Sequence, residues 1–204
     1  MANISGQICQ ALELFILIKA KISPEESILH NLNTWCYEVG TEFEEMGKLA
    51  AIDFMSYMDN SYVLELGCGD GASIKTFIKY KWAVLAIDIN PHKLEKIKGI
   101  ATLWESDMLT ALRTLKDNSV SNIFAHHSLE HVVNVEEVLK EISRVIKPGG
   151  YFYAVVPAND YLHSVHHVVF ESPEELLPPE FKIIKAEKQI RNEPEYICVA
   201  QKLV

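Results

Sequence analysis

The sequence predicts an α/β protein in which a doubly wound, mostly parallel sheet follows a helical N-terminal extension. Before residue 59 the apolar residues recur at helical spacing, whereas later short runs rich in β-branched and aromatic residues alternate with helical segments. Such alternation is typical of a parallel sheet covered by helices on both faces. We therefore expect a helical lid or extension over residues 1–59 and one sheet domain over residues 60–204.

Three amphipathic helices are predicted in the extension. Their apolar positions are, helix by helix, Ile8, Leu12, Phe15 and Ile16; Ile28, Leu32, Trp35 and Val39; and Phe43, Met46, Ala50, Phe54 and Tyr57. The second helix should begin at Ser23, because Ser-Pro-Glu-Glu combines a capping serine, a proline at the first helical position and a glutamate that closes the capping box.

The sheet domain should contain seven strands and four helices. The predicted strands are 62–66, 83–87, 100–104, 120–125, 151–156, 181–189 and 196–202, and the predicted helices are 72–80, 91–98, 108–115 and 135–146. The last two strands are separated only by a turn that contains Asn192 and Pro194, so we expect them to form an antiparallel hairpin at the sheet edge.

Composition excludes several classes of function. The chain has 19 Lys and Arg against 28 Asp and Glu, a formal charge of −9, which argues against binding to nucleic acid. The apolar stretch 11–20 contains Glu13 and Lys19 and is shorter than the roughly 20 residues of a membrane span. With no signal-peptide pattern, a cytoplasmic protein without membrane contacts is expected. The four cysteines lack a C-x-x-C pair and are interpreted as small core residues; they are Cys9, Cys36, Cys68 and Cys198.

The most informative segment is VLELGCGDG, residues 63–71, at the first predicted strand-to-helix junction. Gly67 and Gly69 allow a sharp turn and a close approach of the backbone to a ligand, and Gly71 leads into a helix whose first amides face the same crevice. Asp88 follows 17 residues after Gly71, at the end of the second strand. A carboxylate at that place fits the two hydroxyls of a ribose.

These residues resemble the first motif of the class I S-adenosylmethionine-dependent methyltransferases, and the spacing Glu65-x-Gly67-x-Gly69-x-Gly71 differs from that of dinucleotide-binding dehydrogenases. Residues 125–132 and 139–157 resemble later blocks of the same family. The resemblance implies a seven-stranded sheet of order 3-2-1-4-5-7-6 with the last strand antiparallel, and S-adenosyl-L-methionine as the cofactor.

The resemblance also implies roles for individual residues. It places Glu65 and the loop of Gly67, Cys68 and Gly69 at the methionine portion of the cofactor, Asp88 at the ribose, Ile89 on the adenine, and Asp107 with Met108 at the exocyclic amine. His126, which opens the later block, joins the cofactor-binding set.

Purely structural roles remain open for several of these residues. Gly67 and Gly69 suit any tight turn, Asp88 suits a cap for the helix that starts at Pro91, and Asp107 suits a cap for the helix that starts at Met108.

Methyl transfer from a sulfonium needs mainly a nucleophile held in line in a site closed to water, so a base is optional. Six of the eight histidines follow the fourth or fifth strand, on the expected acceptor side, and are candidate bases: His126, His127, His131, His163, His166 and His167. His127 and His131 are the catalytic candidates. Trp35, Tyr37, His163 and His167 are the candidates for contact with a small-molecule acceptor.

Two alternatives stay open. The first is a non-catalytic module of the same fold that binds the cofactor or a partner protein. Under either reading the chain is expected to be a monomer or a homodimer. The second is a metal-assisted O-methyltransferase, because His127-x-x-Glu130-His131 resembles the Glu-x-x-Glu-His metal motif of some methyltransferases of ubiquinone synthesis and of small-RNA 3′ ends. The spacing places the first and last of these residues one turn apart on a short helix, so that they can converge on a divalent metal with one of His163, His166 or His167. Histidine in the first position shifts the metal preference from magnesium toward zinc, iron, cobalt or nickel.

Overall fold

The computed structural model describes residues 41–58, 61–158, 168–190 and 194–204. Its seven strands form one sheet in the order β3-β2-β1-β4-β5-β7-β6. The strands are β1 Tyr62–Leu66, β2 Ala83–Asp88, β3 Thr102–Glu105, β4 Val120–His126, β5 Ile146–Pro157, β6 Phe181–Ile190 and β7 Pro194–Lys202. Strands β1 to β5 are parallel, and β7 is antiparallel to β5 and β6. The predicted fold class and strand order are confirmed.

Five helices accompany the sheet in the described residues: α1 Thr41–Met55, α2 Ala72–Lys79, α3 Pro91–Lys96, α4 Met108–Thr114 and α5 Val135–Val145. Two short 3-10 helices lie at Leu129–His131 and Pro173–Leu176. The first two predicted N-terminal helices, with Ser23, Cys9 and Cys36, lie outside the described residues. Within these residues, none of the helices combines the length and the apolar composition that a membrane span requires.

Several boundaries differ from the sequence prediction by one or two residues, and the start of β5 differs most. Strand β5 begins at Ile146, five residues early, because Lys147-Pro148-Gly149-Gly150 forms a bulge: Val120 pairs with Ile146, and Asn122 pairs with Tyr151. A Cβ on Gly150 would lie 2.4 Å from the carbonyl oxygen of Ser121, so the bulge requires a glycine there. Pro194 belongs to β7 and not to the preceding turn.

Side chains that alternate along the central strands supply two apolar cores. Leu64 and Leu66 of β1 pack in one core, which includes Leu139 and Ile142 of α5, whereas Val63 packs in the other. Burial on both faces explains why β1 is a nearly continuous apolar run. Because β1 to β5 are parallel, their carboxyl ends lie at the same end of the sheet.

Helix α1 completes the second core. Phe54 is fully buried and packs edge-on against Phe77, Phe124 and Tyr153 at centroid separations of 5.8, 5.4 and 5.6 Å. The hydroxyl of Tyr153 donates a hydrogen bond to Asp53 Oδ2 at 3.0 Å. Helix α1 is therefore a packing layer of the sheet, and any lid must come from residues before it.

We predict that Phe54→Ala lowers the free energy of unfolding by about 3–5 kcal/mol, since a large aromatic side chain leaves a cavity at the centre of the aromatic cluster. Ile52→Ala is the matched control, because Ile52 lies on the same helix and is 40% exposed. Urea unfolding followed by circular dichroism measures both variants. Equal small losses in the two variants would show that α1 is not part of the core.

Candidate functional site

The glycine loop after β1 has a left-handed backbone, with φ of 74° at Gly67, 51° at Gly69 and 77° at Gly71. A Cβ on Gly67 would lie 2.4 Å from the Cβ of Ser128, and a Cβ on Gly71 would lie 2.5 Å from the Cγ2 of Ile97. A Cβ on Gly69 would meet nothing within 4 Å. Two of the glycines are thus required by packing within the chain, whereas Gly69 leaves space for the close approach of a ligand.

Asp88 ends β2 beside this loop and is 8% exposed. Its Oδ2 accepts a hydrogen bond from the amide of Gly69 and its Oδ1 accepts one from the amide of Asn90, both at 2.8 Å. Asn90, and not Asp88, caps α3 with its side chain. Each oxygen of Asp88 keeps a second lone pair, so the carboxylate can shape the loop and still accept hydrogen bonds from a ligand.

Glu65 lies on β1, two residues before Gly67, and is 2% exposed. Its Oε1 accepts a hydrogen bond from the hydroxyl of Ser73, and its Oε2 has no hydrogen-bond partner among the described residues. Burial raises the pKa of Glu65 to about 8; Ser73 opposes the shift, and the charge of Asp88 adds to it. A buried carboxyl with one unused oxygen is suited to a positively charged or hydrogen-bonding ligand.

Asp107 follows β3 and caps α4, because its Oδ1 accepts a hydrogen bond from the amide of Thr110 at 2.9 Å. The structural role left open for Asp107 is therefore present. Met108 and Ile89 are half-buried near the ends of β3 and β2. Their contact with a cofactor stays a prediction.

Several ionisable side chains meet at the end of β4. The ring of His126 is stacked on Phe124 at 6.2 Å and lies 4.7 Å from the ring of His127. His127 Nε2 lies 2.8 Å from Glu195 Oε1. Glu130 Oε1 lies 3.8 Å from His127 Nδ1 and 3.8 Å from His131 Nε2.

The geometry of this cluster differs from the helical turn expected for residues 127–131. The 3-10 helix includes only Leu129–His131, and His127 precedes it with a φ of 48°. The left-handed backbone of His127 turns its ring toward Glu195, while Glu130 lies between the two histidines.

Glu195 is the residue that the sequence analysis missed. It is fully buried at the start of β7, next to Pro157 at the end of β5. The available signal was a single acidic residue at the start of an otherwise apolar strand, PEYICVA. Trp35, Tyr37, His163, His166 and His167, the other candidates on the acceptor side, lie outside the described residues.

Of the cysteines, Cys68 and Cys198 are buried with free thiols. Burial is the main cause that raises both thiol pKa values, so neither is a nucleophile at neutral pH. Cys68 belongs to the glycine loop, where its amide donates a hydrogen bond to the Ile87 carbonyl at 3.0 Å.

Residues 64–154 match the sequence profile of a family described as "Methyltransferase domain". A sterol 4-C-methyltransferase of Caenorhabditis elegans is 29% identical over 128 residues, 55% of this chain and 38% of that protein. A thiol S-methyltransferase of Homo sapiens is 38% identical over 100 residues, 45% of this chain and 40% of that protein. The chain thus spans well under half the length of these curated relatives.

A solved structure, the 1,6-didemethyltoxoflavin-N1-methyltransferase of Burkholderia thailandensis with bound S-adenosylhomocysteine, shares the fold. The two superpose with a TM-score of 0.70 at 18% identity, covering 90% of this chain and 92% of that chain. The fold and the glycine-loop site define an α/β protein of the methyltransferase type. Residues 64–154 therefore resemble a methyltransferase domain, and the chain has the fold of the S-adenosylmethionine-dependent methyltransferases, consistent with S-adenosylmethionine as the cofactor.

The raised pKa of Glu65 predicts a pH-dependent stability. Its value of about 8 in the folded protein lies above the ordinary 4.5, so the folded chain keeps a proton that the unfolded chain releases between these values. The free energy of unfolding should fall as the pH rises through this window. In Glu65→Gln this fall should be smaller, by up to a few kcal/mol, since one pKa unit corresponds to about 1.4 kcal/mol.

Urea unfolding from pH 5 to pH 8 measures the effect, and Glu105→Gln, an exposed carboxyl at the end of β3, is the control. Parallel pH curves for the parent and Glu65→Gln would contradict the raised pKa.

Proposed function

We propose that the chain transfers the methyl group of S-adenosylmethionine to a small-molecule acceptor. The observation that carries this proposal is the loop after β1. There a Cβ on Gly69 would meet nothing within 4 Å, the amide of Gly69 donates a hydrogen bond to the buried carboxylate of Asp88, and Glu65 Oε2 has no hydrogen-bond partner among the described residues. The family and the fold agree with it. The proposal also includes the acceptor, which His163 and His167 are assigned to contact.

The residues present fit this cofactor. The first amides of α2 follow Gly71 without a side-chain cap, so they are available to an anionic group such as the cofactor carboxylate. Glu65 Oε2 suits the ammonium group, and Asp88 suits the ribose hydroxyls. Ile89, Asp107 and Met108 are assigned to the adenine, with Cys68 and His126 completing the cofactor set.

When bound, the cofactor supplies a sulfonium methyl that is already activated. The chain then has to orient the acceptor, exclude water and take up a proton where the acceptor is a hydroxyl or a protonated amine. His127 and His131 are the residues assigned to that proton, because both lie beside Glu130 at the end of β4. A carboxylate beside an imidazole stabilises the protonated ring that such a transfer produces.

A small molecule is the proposed acceptor class, with a sterol, thiol or quinone ring as the first to test, since relatives are named as methyltransferases of such compounds. Incubation of the chain with S-adenosylmethionine and each acceptor, followed by measurement of S-adenosylhomocysteine, tests the proposal. Cofactor binding without transfer to any acceptor would favour the non-catalytic module.

The ribose assignment predicts that Asp88→Ala weakens binding of S-adenosylhomocysteine by about 1–3 kcal/mol, the usual cost of losing hydrogen bonds to a charged group. Because Asp88 also binds the amide of Gly69, the loop and the ribose contributions must be separated. An analogue without the two ribose hydroxyls should lose less affinity in the same variant. Calorimetric titration measures both ligands, and equal losses would mean that Asp88 acts only through the loop.

The helical extension is proposed as a lid that shields the bound cofactor from water. Its Trp35 and Tyr37, together with His163 and His167 from later in the chain, are proposed to contact the acceptor. Deletion of residues 1–22 should leave a folded domain with impaired methyl transfer, measured as S-adenosylhomocysteine release. Unchanged turnover would refute the lid, and unfolding of the truncated chain would show that the segment is core.

A further inference from the structure

We propose that His126, His127 and Glu195 bind one divalent transition-metal ion of the zinc type at the end of β4. One donor atom from each residue lies within 4.8 Å of the other two. Two imidazole nitrogens and one carboxylate oxygen are a donor set that zinc accepts in catalytic sites, where a fourth position stays open. This set shares only His127 with the His127, Glu130 and His131 motif of the sequence.

The backbone of three strands holds these donors. His126 is the last residue of β4 and pairs with Val155 of β5. The amide of His127 donates a hydrogen bond to the Val155 carbonyl at 2.9 Å. Glu195 pairs with Pro157, because β7 runs antiparallel and its beginning meets the end of β5. The donors are therefore attached to the sheet and not to a loop alone.

The side chains are close to the separation that a metal requires. His127 Nε2 is 2.8 Å from Glu195 Oε1, whereas two zinc ligands at tetrahedral positions lie about 3.3 Å apart for bonds of about 2.0 Å. The ring of His126 lies 4.7 Å from that of His127, and its donor nitrogen lies within 4.8 Å of the other two donor atoms. The same ring is stacked on Phe124 at a centroid separation of 6.2 Å.

The surrounding residues resemble an outer shell of a metal site. His127 directs Nε2 toward Glu195 and Nδ1 toward Glu130, the arrangement in which a carboxylate orients a metal-bound imidazole. The amide of Gln189 donates a hydrogen bond to the second oxygen of Glu195 at 3.0 Å. One oxygen of Glu195 is thus fixed, and the other faces the proposed ion.

Charge supports a divalent ion. Glu130 and Glu195 are 2% and 0% exposed, and a buried carboxylate favours a cation beside it. An ion of charge +2 at the imidazoles of His126 and His127 would lie beside these carboxylates. In the zinc-bound protein His126 and His127 are ligands, so His131 alone remains to take up the acceptor proton. The open position of the ion would hold the acceptor heteroatom, a role that rests on the proposed function, whereas the metal site itself does not.

The test is a zinc titration of the full chain, purified without an affinity tag and stripped with a chelator. We expect one Zn²⁺ per chain by elemental analysis, no saturable binding of Mg²⁺, and a cobalt-substituted protein with visible absorption of a four- or five-coordinate ion. Glu195→Gln and His126→Gln should each weaken zinc binding by about 100-fold or more, because each variant changes a direct ligand, whereas outer-shell residues cost about 10- to 100-fold. His92→Ala, on the exposed N-terminal turn of α3, is the matched control and should bind as the parent does.

Absence of saturable zinc binding would overturn the proposal, as would parental affinity in Glu195→Gln. Loss of zinc in His131→Ala equal to that in Glu195→Gln would also overturn it, in favour of the sequence motif. If Glu195→Gln does not fold, as judged by circular dichroism, His126→Gln decides the outcome. Binding of S-adenosylhomocysteine is measured on the same samples, so failure of the metal site is distinguished from failure of the proposed function.

Discussion

The carboxylate of Asp88 joins the ends of two neighbouring strands, and the geometry of the crevice depends on it. It accepts hydrogen bonds from the amide of Gly69 after β1 and from the amide of Asn90 before α3. The amides of Gly67 and Cys68 donate hydrogen bonds to the carbonyl of Ile87 near the end of β2. These bonds hold the loop in the left-handed conformation that only glycine adopts readily. The open position at Gly69 is a consequence of that constraint.

The same end of the sheet carries four buried carboxyl groups, Glu65, Asp88, Glu130 and Glu195, with exposures of 2%, 8%, 2% and 0%. Burial of a charged carboxylate opposes folding unless hydrogen bonds or positive charge accompany it, and buried ionisable groups of this kind cluster at functional sites. The two apolar cores on either face of the sheet supply the stability against which this cost is set. Stability and chemistry therefore occupy different parts of the fold: the cores lie along the strands, and the ionisable groups lie at their carboxyl ends.

Most of the fold of residues 60–204 could be predicted from the sequence, because apolar periodicity specifies each element locally. The boundaries of β1 agree with the prediction, and the order of the sheet follows from the family resemblance. The start of β5 could not be predicted, since the Lys147–Gly150 bulge depends on how β5 pairs with β4.

In the site, Glu65, Gly69 and Asp88 are recognised from spacing, but their mutual contacts are not. The bond between Ser73 and Glu65 and the contact between His127 and Glu195 join residues that only the folded sheet brings together. No local sequence pattern predicts how β7 pairs with β5, so the burial of Glu195 beside His127 could be seen only in the structure.

Calorimetric titration of the full chain with S-adenosylhomocysteine at pH 7, in buffers of different ionisation enthalpy, tests the central claim most directly. We expect one site per chain and release of a proton, because an ammonium group beside Glu65 favours the ionised form of a carboxyl whose pKa is otherwise raised to about 8. Absence of binding would contradict the assignment of the crevice to this cofactor. Binding without a change in protonation would contradict the role of Glu65 within it.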